Sequence, residues 1–461
     1  MGSVDSSKLT PFGHPMLKHF LLDPKYKNLN HGSYGLYPRA IRDERRKFQD
    51  ELEARPDPFI RYYDAEYLDV SRAALAKMLN VPVTEIVFVP NATTGVNTVI
   101  RNLAYAPGDV AIYFATTYGA CEKMLIYATE TTPLQTRRVE YSFPISHEEI
   151  VKGFVETVKQ AKSEGLNVKF ALFDTIVSNP GVRFPFERLL EECRKEGVLS
   201  LVDGAHGIGQ IPLDLGELKP DFFVSNCHKW LYLPRGCAVF HVPLRNQHLI
   251  RTTIPTSHGF RPLNADVPIP IPMADTKSHF ELQFEFVATT ESSQYLCVPA
   301  ALKFREEVCG GEEKIRSYCI QLAHEGGNAA AEILGTDVMC EPGVDPKIAG
   351  ASKIRDCVFA NVRIPLAVDD GSGRHTEKES PYPIIKKENV FQVCRWMEKE
   401  LMYKQNTAIP NFPHGGWIWA RLSAQTYLEV EDFKWAGGVL KELAGRVGKG
   451  EAYKELGITD V

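Results

Sequence analysis

The chain has few features that would anchor it in a membrane or stabilise it by disulfides. Its ten cysteines are scattered singly, none precedes Cys121, and there is no C-x-x-C pair. This pattern is typical of buried thiols in a reducing compartment, and we expect no disulfide framework and no metal site. No apolar run approaches the ~18 residues of a membrane span, and residues 1–20 lack the apolar core of a signal peptide. We therefore expect a cytoplasmic protein without membrane contact.

A large excess of charge of one sign is also missing. The 461 residues include 53 Lys and Arg against 58 Asp and Glu, which gives a formal net charge of -5, and no long block of one sign stands out. Nucleic acid is therefore not an expected partner, because its recognition needs a basic surface. With 44% hydrophobic residues, the chain can form one large domain with a smaller one appended.

Short β-rich runs alternate with helical patterns between about residues 84 and 242. A capping box from Ser146 to Glu149 precedes apolar residues at helical spacing, which predicts a crossover helix. Strands that alternate with helices predict an α/β fold with a mostly parallel sheet and helices on both faces. The predicted strands are Ile86–Val89, Val110–Phe114, Val168–Phe173, Val198–Val202, Phe222–Ser225 and Cys237–His241.

Proline and glycine indicate where the sheet region ends. Prolines at 262, 268, 270 and 272 predict an extended loop over Arg261–Asp275, and a new helix is expected near Val298. A loop rich in Gly, Pro and charge, at about 341–384, then precedes further helix, strand and helix. We predict an N-terminal segment (1–35) that joins the small domain, a large domain (36–299) and a small C-terminal domain (300–461).

Three polar motifs follow predicted strands, where open α/β sheets place their ligands. The first, Asn91-Ala-Thr-Thr-Gly-Val-Asn97, opens a helix whose free N–H groups, with the hydroxyls of Thr93 and Thr94, suit a phosphate. Asn and Thr also cap helices for structural reasons alone. The motif by itself therefore leaves both interpretations open.

The other two motifs place one carboxylate and one amine at strand ends. Asp203 ends an apolar strand and needs a cationic partner, unless it caps the next helix. Lys229 precedes Trp230; it becomes a nucleophilic amine if burial lowers its pKa, whereas a lysine beside Trp often keeps its head in water. Together the three motifs supply what pyridoxal phosphate needs: a phosphate site, an anion for the ring nitrogen and a Schiff-base amine.

These motifs resemble the class V aminotransferase family of fold-type I pyridoxal phosphate enzymes, and the resemblance runs from about Pro11 to Gly450. It implies that Lys229 forms the internal aldimine and moves protons, that Asp203 keeps the ring nitrogen protonated, and that Tyr118 stacks on the ring. Many cysteine desulfurases have His where this chain has Tyr118. The resemblance also implies a homodimer with shared active sites.

The resemblance assigns further residues to the cofactor. It places Thr93, Thr94, Asn226 and His228 at the phosphate, His206 and Ser178 near the ring hydroxyl, and Thr289 at the phosphate of the neighbouring subunit. Here Ala288 and Glu291 replace the Gly and Asp of the family's Gly-Thr-x-Asp signature.

For the substrate, the resemblance implies that Arg421 binds the carboxylate as a bidentate pair. It also implies that Asn30, His31, Ser33 and His258 border the substrate. Two alternatives stay open. Arg421, near two tryptophans, could be a structural cation–π partner, and His31 and His258 could be polar residues satisfied within the fold.

Within the family, the chain most resembles LolT-like enzymes of alkaloid biosynthesis and hercynylcysteine sulfoxide lyases. The resemblance to the first implies a reaction at Cα of an amino acid, through an external aldimine and a quinonoid, that forms a cyclic amine by Mannich-type C–C bond formation. The alternatives are C–S β-elimination and epimerisation like that of isopenicillin N epimerase. A ligand-sensing role is disfavoured, because Lys229 is present and no basic helix-turn-helix pattern occurs.

Overall fold

The structure, a computed structural model, describes residues 9–265, 267, 277–369, 371 and 380–458. The predicted loop over Arg261–Asp275 lies partly outside these residues. The strands are β1 Ile86–Val89, β2 Asp109–Phe114, β3 Gln135–Val139, β4 Asn167–Asp174, β5 Leu199–Asp203, β6 Phe222–Ser225, β7 Ala238–His241, β8 Phe359–Asp369, β9 Ile384–Lys386, β10 Asn411–His414 and β11 Trp417–Ser423.

Helices cover both faces of the first sheet and pack on the second. In the first half of the chain they are α1 His31–Tyr34, α2 Arg39–Ala54, α3 Pro56–Pro58, α4 Asp64–Leu79, α5 Ala92–Asn102, α6 Gly119–Thr131, α7 His147–Ser163, α8 Phe186–Glu196, α9 Leu215–Leu218 and α10 Cys227–Trp230. They continue with α11 His279–Glu285, α12 Ser293–Leu296, α13 Val298–Glu307, α14 Glu312–Leu334, α15 Val390–Lys404, α16 Val430–Gly448 and α17 Glu451–Leu456.

Within the described residues, the first sheet has seven strands in the order β1-β7-β6-β5-β4-β2-β3. Strand β7 pairs antiparallel with β1 and β6, and the other neighbouring strands are parallel. The central strands are apolar along nearly their whole length, because a sheet with helices on both faces buries both sides of each strand. The fold is the mostly parallel α/β arrangement that the sequence predicts. The capping box of α7 forms as predicted, with Ser146 and Glu149 hydrogen-bonded to each other's backbone.

The sequence prediction misses strands in both sheets, of which β8 and β3 are the longest. The prediction of a loop at about 341–384 is wrong in its middle part, which forms β8 (Phe359–Asp369). This is the longest strand of the second sheet, whose order is β10-β11-β8-β9. Pro365 and Arg363 interrupt the apolar pattern that would have indicated this strand. The edge strand β3 was also missed, because Gln135-Thr-Arg-Arg is polar and largely accessible to solvent.

The N-terminal segment joins the second sheet to the loop around Lys229. Leu29 O accepts the N–H of Ser423 at 2.8 Å, which ties the segment to the end of β11. Gly35 has φ +65° and lies so close to the carbonyl of His228 that an added Cβ would collide with it. Glycine is required there both for its conformation and for the close approach of the two backbones.

We expect Gly35→Ala to destabilise the fold by more than a matched glycine variant, because it adds a steric collision to backbone strain. Gly165→Ala is the control: Gly165 has φ +79°, but its added Cβ would meet nothing within 4 Å. Strain alone should cost about 1 kcal/mol in the control. Thermal unfolding and cofactor retention would measure both effects. Equal losses in the two variants would contradict the proposed contact with His228.

Candidate active site

Two carboxyl groups lie side by side at the carboxyl ends of β4 and β5. Asp174 and Asp203 are register partners in these parallel strands, and each is only 5% exposed. Oδ1 of Asp203 accepts the N–H of Ala205 at 3.0 Å, and Oδ2 lies 3.4 Å from the thiol of Cys121. Burial raises the pKa of Asp203, and burial together with the charge of Asp203 raises that of Asp174 further. The negatively charged form of Asp203 therefore needs a nearby positive charge, which the surrounding residues supply only in part.

Lys229 lies in the single turn of α10, directly after β6. Its Nζ is 3.1 Å from Nε2 of His206. Burial, reinforced by the positive charge of Arg421, lowers the pKa of Lys229 from 10.5 to about 8, although Asp203 and Asp174 act in the opposite direction. A substantial fraction of the amine is therefore neutral near physiological pH, as a nucleophile towards a carbonyl must be.

The predicted phosphate site lies at the N-terminus of α5. Asn91 caps this helix by accepting the N–H of Thr94 at 2.8 Å, and Thr93 and Thr94 lie in its first turn. Asn226, predicted at the phosphate, accepts the N–H of Ala92 at 2.8 Å and so connects α5 to the segment before Lys229. The capping and phosphate-binding interpretations are compatible, because the cap shapes the turn that would hold the anion.

His228, also predicted at the phosphate, hydrogen-bonds through Nδ1–H to the carbonyl of Cys237 at 2.8 Å. Burial lowers the pKa of His228 to about 4, so its ring is neutral and Nε2 carries a lone pair. His228 can therefore accept a hydrogen bond but brings no positive charge to a phosphate.

Arg421 is a buried cation on β11 and is only 2% exposed. Its Nη1 donates to the carbonyl of Ser178 at 2.6 Å, and its Nη2 donates to Asn30 Oδ1 at 3.1 Å and Ser33 Oγ at 3.0 Å. Its guanidinium also lies over the ring of Phe359, 4.7 Å from the centroid. Within the described residues no carboxylate pairs with Arg421 and its Nε lacks a partner, so burial lowers its pKa to about 10.

The structure thus brings together Asn30, Ser33 and Arg421, which the resemblance assigns to the substrate. Ser178, which the resemblance assigns to the ring hydroxyl, lies against Arg421 as well. His31 is placed differently from a substrate-binding residue. Its Nε2–H donates to the carbonyl of Lys229 at 2.6 Å, and its Nδ1 lies 2.9 Å from the hydroxyl of Tyr427. Both ring nitrogens are engaged within the fold, which favours the alternative that His31 is a satisfied structural residue.

Three other predicted residues lie at the surface of the chain. Tyr118 precedes α6 and is 47% exposed. Thr289 is exposed, and it lines, together with Thr94, one cavity of about 570 Å³. His258 is exposed and stacks on Phe286 with 6.2 Å between ring centroids. Nothing in the described contacts joins these three residues to Lys229.

The donor set fits pyridoxal phosphate. Asp203 is a buried carboxylate whose anion would be stabilised by a protonated ring nitrogen, Lys229 has a partly neutral amine, and the first turn of α5 presents N–H groups and hydroxyls. Sequence analysis missed Asp174 and Cys121. Asp174 could have been found, because it ends the apolar run Val168–Phe173 just as Asp203 ends the next strand.

Comparisons with known proteins agree with this geometry. The sequence profile of aminotransferase class V matches residues 64–258. The chain is 43% identical over 447 residues to the L-cysteine desulfhydrase-like protein lolT1 of Epichloe uncinata, which covers 96% of this chain and 98% of that protein. It is 28% identical to the hercynylcysteine sulfoxide lyase of Schizosaccharomyces pombe, over 94% of this chain and 97% of that one.

Among solved structures, the cystine C-S lyase C-DES, in complex with cysteine persulfide, superposes with a TM-score of 0.67 at 19% identity, over 94% of this chain and 99% of that chain. The fold and the site therefore define a fold-type I enzyme that depends on pyridoxal phosphate. Within that class, the chain belongs to the class V aminotransferase family. None of the helices described is long and apolar enough to cross a membrane.

The resemblance predicts that Arg421 binds a substrate carboxylate, so Arg421→Lys should weaken substrate binding, because lysine keeps the charge but loses the planar fork that pairs with a carboxylate. We expect KM to rise at least about tenfold while the cofactor absorption is unchanged. Arg363→Lys is the matched control, since Arg363 also stacks on an aromatic ring, Trp417, but pairs with the exposed Asp337. An unchanged KM in Arg421→Lys would remove Arg421 from the substrate site.

The lowered pKa of Lys229 predicts how the cofactor-free protein captures added pyridoxal phosphate. Only the neutral amine reacts, so the rate should rise with pH, with a midpoint near 8 instead of 10.5, and level off above it. Asp203→Asn should move the midpoint to lower pH, because the charge of Asp203 raises the pKa of Lys229. Rapid-mixing absorbance measurements, with Lys229→Ala as the blank, would test this. A midpoint near 10.5 would contradict it.

Proposed function

We propose that the protein activates Cα of an amino acid and forms a cyclic amine by Mannich-type C–C bond formation, as an enzyme of secondary metabolism. The observation that carries the proposal is the convergence of Lys229, Asp203 and Arg421 in one buried region. The charges of Arg421 and Asp203 both act on the pKa of Lys229, one lowering it and the other raising it. A cofactor carbonyl at Lys229 and a carboxylate at Arg421 would then place Cα beside the amine.

When bound, pyridoxal phosphate takes up the electron pair of a bond broken at Cα. Asp203 would hold the proton at the ring nitrogen. Arg421 would bind and orient the substrate carboxylate, with Asn30 and Ser33 fixing its guanidinium. Lys229, once free of the cofactor, has a pKa suited to take or return the proton at Cα.

Two observations support C–C bond formation as the outcome. The resemblance to LolT-like enzymes, from which this reaction is inferred, extends over nearly the whole chain, since the L-cysteine desulfhydrase-like proteins lolT1 and lolT2 are each 43% identical to it. In addition, His414, in the segment before Arg421, accepts the N–H of Phe143 at 2.8 Å, and burial lowers its pKa, so it is neutral. His414 would therefore provide no positive charge to a second anionic group of a sulfoxide-type substrate bound beside this segment.

C–S β-elimination is the second candidate, because several relatives are named for it. They include the hercynylcysteine sulfoxide lyase of Schizosaccharomyces pombe and an L-cysteine desulfhydrase of Arabidopsis thaliana, 28% identical over 324 residues. In both candidate reactions the same lysine would remove the proton at Cα. The reactions differ in the next step, which forms a C–C bond in one and breaks a C–S bond in the other. The homodimer with shared active sites, the domain boundaries and the cytoplasmic location stay predictions from the sequence.

The first part of the test identifies the cofactor lysine. Borohydride reduction of the holoenzyme followed by peptide mapping should find the cofactor attached to Lys229, and Lys229→Ala should leave no such adduct. An unmodified Lys229 in the reduced wild type would overturn the catalytic assignment.

The second part identifies the reaction. Holoenzyme in heavy water would be given a cysteine-conjugate sulfoxide, or an amino acid with a distal amine together with an aldehyde. We expect mass spectrometry to find a condensed cyclic amine from the second mixture. Pyruvate and ammonia from the first alone would establish a C–S lyase, and deuterium at Cα without either product would favour an epimerase.

A further inference from the structure

The imidazole of His206 lies between the amine of Lys229 and the indole of Trp230. The indole Nε1–H of Trp230 donates to Nδ1 of His206 at 3.2 Å, and Nε2 of His206 lies 3.1 Å from Nζ of Lys229. His206 and Trp230 are both buried, with 2% and 3% exposure. The three side chains form a hydrogen-bonded row that ends at the reactive amine.

The chemistry of the indole fixes the tautomer of His206. Tryptophan offers only a donor, so Nδ1 of His206 must carry a lone pair. Burial, together with the positive charges of Lys229 and Arg421, holds the pKa of His206 well below its usual range, so the ring is neutral. A neutral imidazole has one N–H, which must be on Nε2. The bond to Lys229 therefore runs from His206 Nε2–H to the lone pair of a neutral amine.

No other hydrogen bond of the described residues favours the opposite tautomer of His206. Among the hydrogen bonds of the described residues, no carboxylate reaches either ring nitrogen of His206. A carboxylate or a backbone carbonyl commonly orients a functional histidine by accepting a hydrogen bond from its ring N–H. Here the indole orients the ring by donating a hydrogen bond to it. The charged or ionisable groups that act on Lys229 from the surrounding elements are Asp203 on β5, Asp174 on β4, Arg421 on β11 and Cys121 on α6.

We propose that Trp230 is a positioning residue that fixes His206 as an Nε2–H donor towards Lys229 and so favours the neutral amine. The tautomer itself follows from this chain alone, whereas its consequence for the reaction rests on Lys229 being the cofactor lysine. When the cofactor is bound through Lys229, the same N–H is available to an acceptor oxygen beside that linkage. The opposite tautomer would present a lone pair there and repel it.

The first test observes the tautomer directly in the cofactor-free protein. Nitrogen-15 NMR of histidine-labelled protein, with His206→Gln to assign the signals, should show His206 as the Nε2–H tautomer. Trp230→Phe keeps the aromatic packing but removes the donor, and should produce a mixture of tautomers. Trp396→Phe is the matched control, since the indole of Trp396, on α15, donates to Glu455, on α17. An Nδ1–H or charged His206 in the wild type would overturn the inference.

The second test measures the effect on Lys229 in two backgrounds. In the wild-type background, Trp230→Phe should reduce the neutral-amine population about two- to tenfold, which raises the pH midpoint of cofactor capture. In the His206→Gln background it should change little, because an amide N–H donor has no tautomer to fix. Equal shifts in both backgrounds would indicate a purely structural Trp230 and overturn the inference.

The failures of the two assignments are distinguishable. If Lys229 proves not to carry the cofactor, borohydride mapping will show this while the tautomer of His206 is unaffected. If the tautomer argument is wrong, NMR of the cofactor-free protein will show it while mapping still identifies Lys229. The dissociation constant of pyridoxal phosphate, measured for each variant, should rise in Trp230→Phe and stay unchanged in Trp396→Phe.

Discussion

The site depends on one physical constraint: ionisable groups are buried there without full compensation from the protein. A buried ion costs several kcal/mol unless it is paired. The pKa shifts of Asp203, Lys229 and Arg421 all favour their neutral forms, as incomplete pairing requires. A cationic ring nitrogen, a carbonyl and a carboxylate are the complementary groups. The cofactor and an amino acid would bring all three, so their binding relieves the cost that folding imposes.

Holding such groups in place requires support from outside the strand ends. The helix α10, Cys227–Trp230, is one turn long and cannot be stable alone. His31 donates to the carbonyl of Lys229, and Arg305 donates to that of Trp230 at 2.7 Å. Arg305 is buried and forms an ion pair with Glu312. Supports from the N-terminal segment and from α13 therefore converge on the backbone that carries the lysine.

The sequence predicts the part of this arrangement that strand periodicity controls. Apolar runs followed by Asp203 and Lys229 predict which residues meet at the sheet edge, because parallel strands end on the same side. Periodicity cannot predict contacts made by irregular segments, such as His31 with Lys229 or Ser178 with Arg421, since these depend on how distant loops pack. It also fails where polar residues interrupt a strand, as in β3 and β8.

The neighbouring carboxyls of Asp174 and Asp203 differ in how readily they hold a negative charge. Like charges on Asp174 and Asp203 destabilise each other in buried positions, so the pair favours a state with one negative charge. Asp203 receives a backbone N–H from Ala205, and the charge of Lys229 also favours its anion. Asp174 has the charge of Asp203 against it, and its pKa is raised further. Of the two carboxyls, Asp203 therefore takes the negative charge more readily, and it is the one that the resemblance assigns to the ring nitrogen. The carboxyl that sequence analysis overlooked is thus less able than Asp203 to hold the negative charge at this edge of the sheet.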